Sequence, residues 1–105
     1  EITAQIVVTG VKQGAQIGCW VVGDHRPVYL PVKYFPGHYY GTGDTFAALL
    51  TGFLNQQVDL RLAATKATAA LTVAVAETSQ LPVAERRYGL RLKNLLATLA
   101  KGVEQ

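Results

Sequence analysis

Gly41-Thr42-Gly43-Asp44 is where this sequence concentrates residues able to do chemistry. Two glycines make a tight turn, and the apolar residues that follow repeat with helical spacing: Phe46, Leu49, Leu50, Phe53 and Leu54. A glycine-rich turn therefore leads into a helix N-terminus with an acid in its first turn. The first N–H groups of a helix have no acceptor within it, and the helix dipole adds partial positive charge there. That combination binds phosphate. Phosphate by itself needs no carboxylate beside it. An acid at such a site suits the handling of a proton from an attacking hydroxyl. The plainer alternative is a turn followed by a helix that Asp44 merely caps.

Two familiar phosphate loops are excluded. A Walker-type loop requires Lys followed by Ser or Thr after its glycines, and none is present. A dinucleotide fingerprint requires a third glycine at position 46, which is Phe46. His25 and His38 have no metal-site spacing and no cysteine pair to join them. His38 reads as a loop residue without chemistry and His25 as a turn residue in solvent.

The elements that must position this turn divide the chain in two. Residues 4–35 read as strands. Gln5 to Thr9 is a short β-branched run, punctuated by Gly10 to Gly14, and Ile17 to Val22 is a second apolar run. Gly23-Asp24 signals a turn. Val28, Leu30 and Val32 then alternate with Tyr29, Pro31 and Lys33, and Pro27 and Pro31 assign this strand to an edge. The short links favour antiparallel pairing. Residues 44–104 read as helices: about 44–55, then 59–78 with Asp59 as its cap, then 85–101 ended by Gly102. The second helix carries alanine at 63, 64, 67, 69, 70, 74 and 76, which suits close packing. Tyr88, Leu92, Leu95, Leu96 and Leu99 form the apolar side of the third. Three strands followed by three helices make a layered α/β piece.

Bulk composition narrows the class. The chain has 105 residues, half of them hydrophobic and 16% charged, which fits one small globular domain and excludes disorder. The net charge of +3 is a weak basic bias. Its densest group, Arg86 to Lys93, reads as the solvated face of a helix in preference to a nucleic-acid site. Cys19 is the only cysteine, so no intrachain disulfide can form. It reads as a buried thiol in a strand, and Trp20 beside it as core. The alanine- and valine-rich run 67–76 is too short to span a membrane. The chain contains no methionine and opens at Glu1, which reads as a piece of a larger protein. Helices too few to cover both faces of the strands again suggest missing partners.

The run from Gly41 to Leu50 resembles the C-terminal signature of the ribokinase-like kinases, most of all the pyridoxal/pyridoxamine (vitamin B6) kinases. Ile6-Val7-Val8-Thr9-Gly10-Val11, followed by Gln16-Ile17-Gly18, is also similar to that family. The resemblance covers nearly the whole chain and corresponds to the C-terminal part of such a kinase. It implies a ribokinase-like αβα sandwich and ATP-dependent transfer to a hydroxymethyl group. It makes Asp44 the acceptor of the substrate hydroxyl's proton. Gly41, Thr42 and Gly43 become the anion hole around the transferring phosphoryl, and Thr9 a residue near the ATP phosphates. Phe35 and Tyr39 fall where the family lines its nucleotide site, and read here as loop-packing aromatics.

Related hydroxymethylpyrimidine kinases often place cysteine where this chain has Asp44, and sugar kinases of the superfamily alanine where it has Thr42. The motif therefore leans toward the B6 branch, with hydroxymethylpyrimidine/phosphomethylpyrimidine kinase as the alternative. A non-catalytic nucleotide-binding or assembly module is a third reading. The expected cofactors are ATP and Mg2+, the Mg2+ ligands lying mostly outside these residues. A small-molecule substrate, a cytoplasmic setting, a homo-oligomer, and no nucleic-acid or membrane partner complete the expectation. With the substrate pocket of the family lying largely in its N-terminal part, the 105 residues alone are expected to be inactive.

Overall fold

The computed structural model describes residues 5–14, 16–23, 26–32, 35, 37 and 39–104, the side chains of 102–104 excepted. Asp24, His25, Lys33, Pro36 and His38 lie outside the described residues, and with them the expectations for the two histidines. Three strands, β1 (Ile6–Gln13), β2 (Gln16–Val22) and β3 (Val28–Val32), form an antiparallel sheet in the order β1-β2-β3. β3, with Pro31, is at an edge as its prolines require. Three α-helices follow: α1 (Thr42–Leu54), α2 (Leu60–Ser79) and α3 (Lys93–Glu104), with a 3-10 helix at Val83–Tyr88 between the last two.

β1 runs through Gly10 instead of stopping before it. Val8 pairs with Trp20 and Val11 with Gly18, so β1 holds one residue more than β2 across that interval. Gly10, at φ 68, takes the left-handed conformation there. This is a β-bulge, and only glycine enters that conformation without steric cost. The glycine that reads in sequence as punctuation is a kink inside the strand, immediately after Thr9.

The pleat sorts the sheet residues by face. Val7 pairs with Val21, Val21 with Val28, and Cys19 with Leu30. These residues share the face that the helices cover, where Cys19, Phe46 and Ala67 form a core joined by Val7, Leu30, Leu49, Leu50, Phe53 and Leu71. Trp20 pairs with Tyr29 on the opposite face. Their rings meet at a tilt of 54° with 5.3 Å between centroids, and the Tyr29 hydroxyl donates to the Val11 carbonyl at 2.7 Å. Trp20 is half-buried there and is not part of the core. Among the described residues the helices occupy one face, and this aromatic pair lies on the other.

α1 forms around its apolar stripe and buries Phe46 to 6% exposure; Leu54, at the stripe's end, is exposed. α2 starts where the sequence predicts, because the Asp59 carboxylate accepts from the Leu62 N–H at 2.8 Å. Ala63, Ala64, Ala67, Ala70 and Ala74 are buried along it, so the helix axis lies close to its neighbours. A second core joins Ala70 and Ala74 to Leu95, with Leu49, Leu90 and Leu99 around them.

The predicted third helix is corrected in three respects. Residues 85–88 belong to the 3-10 turn, and α3 begins only at Lys93. Gly89 separates them at φ 96, ψ −174, which no helix accommodates. Tyr88 is 74% exposed and contributes nothing to an apolar face. Gly102 does not end α3, which continues to Glu104. Arg86 to Lys93 is accordingly not one helical face: Arg86 is half-buried, Arg87 stacks on Tyr88 at 4.9 Å, and Arg91 reaches Glu85 at 3.8 Å.

Candidate functional site

The turn before α1 is closed by Gly41, the helix N-cap, at φ 88 and ψ 5. An L-residue pays about 1–2 kcal/mol for this left-handed conformation, which explains a glycine at this point. No side chain caps the helix, and the first intrahelical bond runs from the Thr45 N–H to the Gly41 carbonyl at 2.9 Å. The N–H groups of Thr42, Gly43 and Asp44 therefore precede the helical ladder and have no acceptor within it. Asp44 sits at the third helical position and is exposed, so it is not the N-cap. The reading of Asp44 as a plain capping residue is excluded by this geometry. A carboxylate in the first turn still interacts favourably with the helix dipole.

A cleft of about 320 Å3 opens beside this turn. Thr42 and Gly43 line it from the start of α1, and Thr9 and Gly10 from the bulge of β1. The structure thus brings Thr9, Thr42 and Gly43 to one cavity although 33 residues separate Thr9 from Thr42. The bulge matters here, because it bends β1 at the residue after Thr9. Gly41 and Asp44 are not among the lining residues: Gly41 shapes the turn, and Asp44 is exposed immediately beyond Gly43. A Cβ on Gly43 would meet nothing within 4 Å, so the approach to its backbone is open.

The rest of the lining is apolar with a few hydroxyls. Ile17, Gly18, Cys19 and Val32 of the sheet and Phe46 of α1 contribute, with Phe35 and Tyr39 from the connecting segment. Those two aromatics are cleft residues, where sequence alone reads them as loop packing. α2 adds Thr68, Leu71, Thr72 and Val75. Their spacing of i, i+3, i+4 and i+7 marks one helical face, but the alanines of the same helix dominate the pattern and hide it. The hydroxyls of Thr68 and Thr72 donate to the carbonyls of Thr65 and Thr68, at 2.9 and 2.8 Å, so each oxygen keeps lone pairs able to accept. Cys19 is 2% exposed, and burial raises its thiol above the ordinary range. A neutral thiol is a poor nucleophile, so Cys19 serves as wall.

This combination fits an elongated ligand with an anionic end. Unpaired N–H groups at a helix start receive the charge, while an apolar cleft bounded by aromatics and threonines receives a planar body. Among the described residues no three His, Cys, Asp or Glu side chains gather to hold a metal ion. No helix among them is long and apolar enough to cross a membrane.

No protein-family model matches the sequence, and neither does any curated relative. Solved structures do. The crystal structure of pyridoxal kinase from Lactobacillus plantarum is 37% identical, with a TM-score of 0.81 over 97% of this chain. That of a putative phosphomethylpyrimidine kinase from Bacteroides thetaiotaomicron is 28% identical, with a TM-score of 0.83 over 91% of this chain. The chain spans 37% and 34% of those two proteins, about a third of their length. Its three antiparallel strands and three helices match these ribokinase-like kinases, as the sequence resemblance implies.

Proposed function

We propose that these residues form the phosphoryl-handling part of an ATP-dependent kinase that phosphorylates the hydroxymethyl group of a B6 vitamer: pyridoxal, pyridoxine or pyridoxamine. The observation that carries this reading is the shared cleft, in which Thr42 and Gly43 at an uncapped helix start face the same space as Thr9 and two aromatics. In transfer, the hydroxyl oxygen of the acceptor bonds to the γ-phosphorus of ATP. The bond to the β-phosphate oxygen breaks, and ADP leaves with that electron pair. The hydroxyl proton passes to the Asp44 carboxylate. The N–H groups of Thr42 and Gly43, in the turn that Gly41 shapes, hold the charge on the moving phosphoryl, and Thr9 steadies the nucleotide phosphates from the opposite wall. Such transfer depends on positioning and charge stabilisation far more than on covalent assistance. One preorganised N–H donor contributes about 10²–10³-fold, and a general base about 10²–10⁴-fold.

Mg2+ would neutralise phosphate charge when bound with ATP. Such an ion takes one or two carboxylates along with the phosphates themselves, and its protein ligands are expected mostly outside these 105 residues. The same reasoning makes the 105 residues alone inactive, since they span about a third of the matched kinases. A cytoplasmic enzyme acting on a small molecule fits a chain whose one cysteine is buried and free. Self-association fits the exposure of Ile6 and Val8 on edge strand β1, at 50% and 46%, and light scattering of the chain at high concentration checks it.

A phosphomethylpyrimidine kinase is the second reading, supported by the TM-score of 0.83 to the putative enzyme of that type. A non-catalytic nucleotide-binding module is the third. One experiment separates them: turnover of B6 vitamers and of hydroxymethylpyrimidine by the full-length chain, with Asp44→Asn alongside. Pyridoxal turnover that falls about 10²–10⁴-fold in Asp44→Asn, with ATP affinity retained, supports the first reading. Unchanged kcat removes Asp44 from its role. ATP binding without phosphorylation of either substrate supports the module. Turnover by the 105 residues alone would overturn their predicted inactivity.

A further inference from the structure

Arg86 lies outside the cleft but is tied to its wall. Its Nη2 donates to the Ser79 carbonyl at 3.0 Å, and its Nε is 3.3 Å from the Leu81 carbonyl. Ser79 is the last residue of α2 and Leu81 follows its C-cap Gln80, so the guanidinium sits at the helix C-terminus, where the dipole favours a cation. The guanidinium carbon also stands 5.3 Å from the centre of the Tyr39 ring. On a third side, a Cβ on Gly37 would come within 2.7 Å of Arg86 Nη1, so this position is closed to any side chain while the guanidinium stays in place. Gly37, at φ 117, and Tyr39 both line the cleft, and Tyr39 is two residues before the N-cap Gly41.

We infer that Arg86 is a positioning residue: it clamps the cleft wall at Gly37 and Tyr39 to the end of α2, and so sets the nucleotide affinity of the turn that follows. The affinity half rests on the kinase reading; the clamp itself does not. A guanidinium does this because its planar fork reaches two carbonyls while its face covers an aromatic ring. Lysine has one point charge and cannot make both contacts. The carbonyls hold Arg86 fixed, so the ring and the glycine are fitted to it and the segment entering α1 inherits its position.

The test uses the full-length chain as wild type, Arg86→Ala, Arg86→Lys and Tyr39→Leu. Amide exchange is followed in the peptide covering 35–43, with the middle of α2 as internal reference. ADP affinity is measured by calorimetry. Arg86→Ala and Tyr39→Leu should speed exchange at 35–43 without changing α2. Each should weaken ADP about tenfold, the scale of one partly desolvated cation–π contact. Arg86→Lys should restore neither fully. Exchange at 35–43 that is unchanged in Arg86→Ala overturns the clamp. Faster exchange with unaltered ADP affinity overturns its link to binding. A wild type that binds no ADP defeats that link and the kinase reading together, whereas the exchange comparison still decides the clamp.

Discussion

The hydroxyl of Thr78 accepts a hydrogen bond from the Arg91 N–H at 2.8 Å while donating to the Ala74 carbonyl at 2.8 Å. Thr78 is fully buried near the end of α2, and Arg91 lies in the connection that enters α3. One side chain thereby satisfies a loop N–H and fixes where the last helix begins. Replacing Thr78 with Val keeps the shape and removes the acceptor, at a cost of about 1–3 kcal/mol. Thermal melts should show a fall of several degrees for Thr78→Val and little change for Thr78→Ser. Equal melting of Thr78→Val and wild type would remove this bond from the stability of the fold.

α3 receives a cap from another helix. The Glu77 carboxylate accepts from the Asn94 N–H at 2.9 Å, in the first turn of α3. It acts as an N-cap acid does and also meets the positive end of the helix dipole. Glu77→Ala should cost about 0.5–2 kcal/mol and speed amide exchange at 93–97 ahead of the rest of the chain. Exchange there that matches wild type would show the cap to be dispensable.

Gly41 and Gly43 should respond in opposite directions. Gly41→Ala forces an L-residue to φ 88 and should destabilise by about 1–2 kcal/mol. Gly43 lies inside α1, where a Cβ meets no atom within 4 Å. Gly43→Ala should therefore stabilise, by up to about 1 kcal/mol from helix propensity alone. Its methyl stands beside the proposed phosphoryl position, so nucleotide affinity should drop even as the melting temperature rises. A variant that gains both would argue against phosphate binding at this backbone.

Gly18 is constrained by its neighbour instead of by its own dihedral. A Cβ there would collide with the Leu30 carbonyl oxygen, with Leu30 C and Pro31 Cα each at 2.9 Å. All three are backbone atoms of β3 and cannot move without parting the β2–β3 pairing. Gly18→Ala should cost at least about 1–3 kcal/mol, the scale of an overpacked core, and chemical denaturation measures it.

Cys19 gives a pH signature. Burial raises its folded thiol above the unfolded value, so the folded chain holds this proton more tightly. The stability it supports is fully present below the unfolded thiol pKa and is lost as pH rises toward and through the folded one. Alkylation at neutral pH should be slow in the native chain and fast in denaturant. Cys19→Ser should flatten the alkaline fall in stability. Native alkylation as fast as that of the unfolded chain would contradict its burial.

Much of the fold was legible because local patterns carry it. The stripe from Phe46 to Phe53 specifies α1, Asp59 starts α2, and Pro31 keeps β3 at an edge; each acts through its own backbone or its nearest turn. Gly10 and the third helix are not legible from sequence for the opposite reason. A glycine that breaks a strand and one that bulges within it look alike until β2 supplies the register. The stripe from Tyr88 to Leu99 is helical in spacing, yet Gly89 breaks it, and the acid that starts α3 is Glu77 on a different helix.

For the site, local sequence is enough to specify the turn, the helix behind it and the acid in its first turn, because glycine conformation and helix periodicity are properties of neighbouring residues. It takes the assembled fold to make Gly41 and not Asp44 the helix cap, and to set Thr9 in one cleft with Thr42 and Gly43. The fold also decides that Phe35, Tyr39 and a threonine-bearing face of α2 complete the walls. The physical reason is separation along the chain: a cavity is made by surfaces that strand pairing and helix packing bring together, and no local spacing encodes which faces will meet.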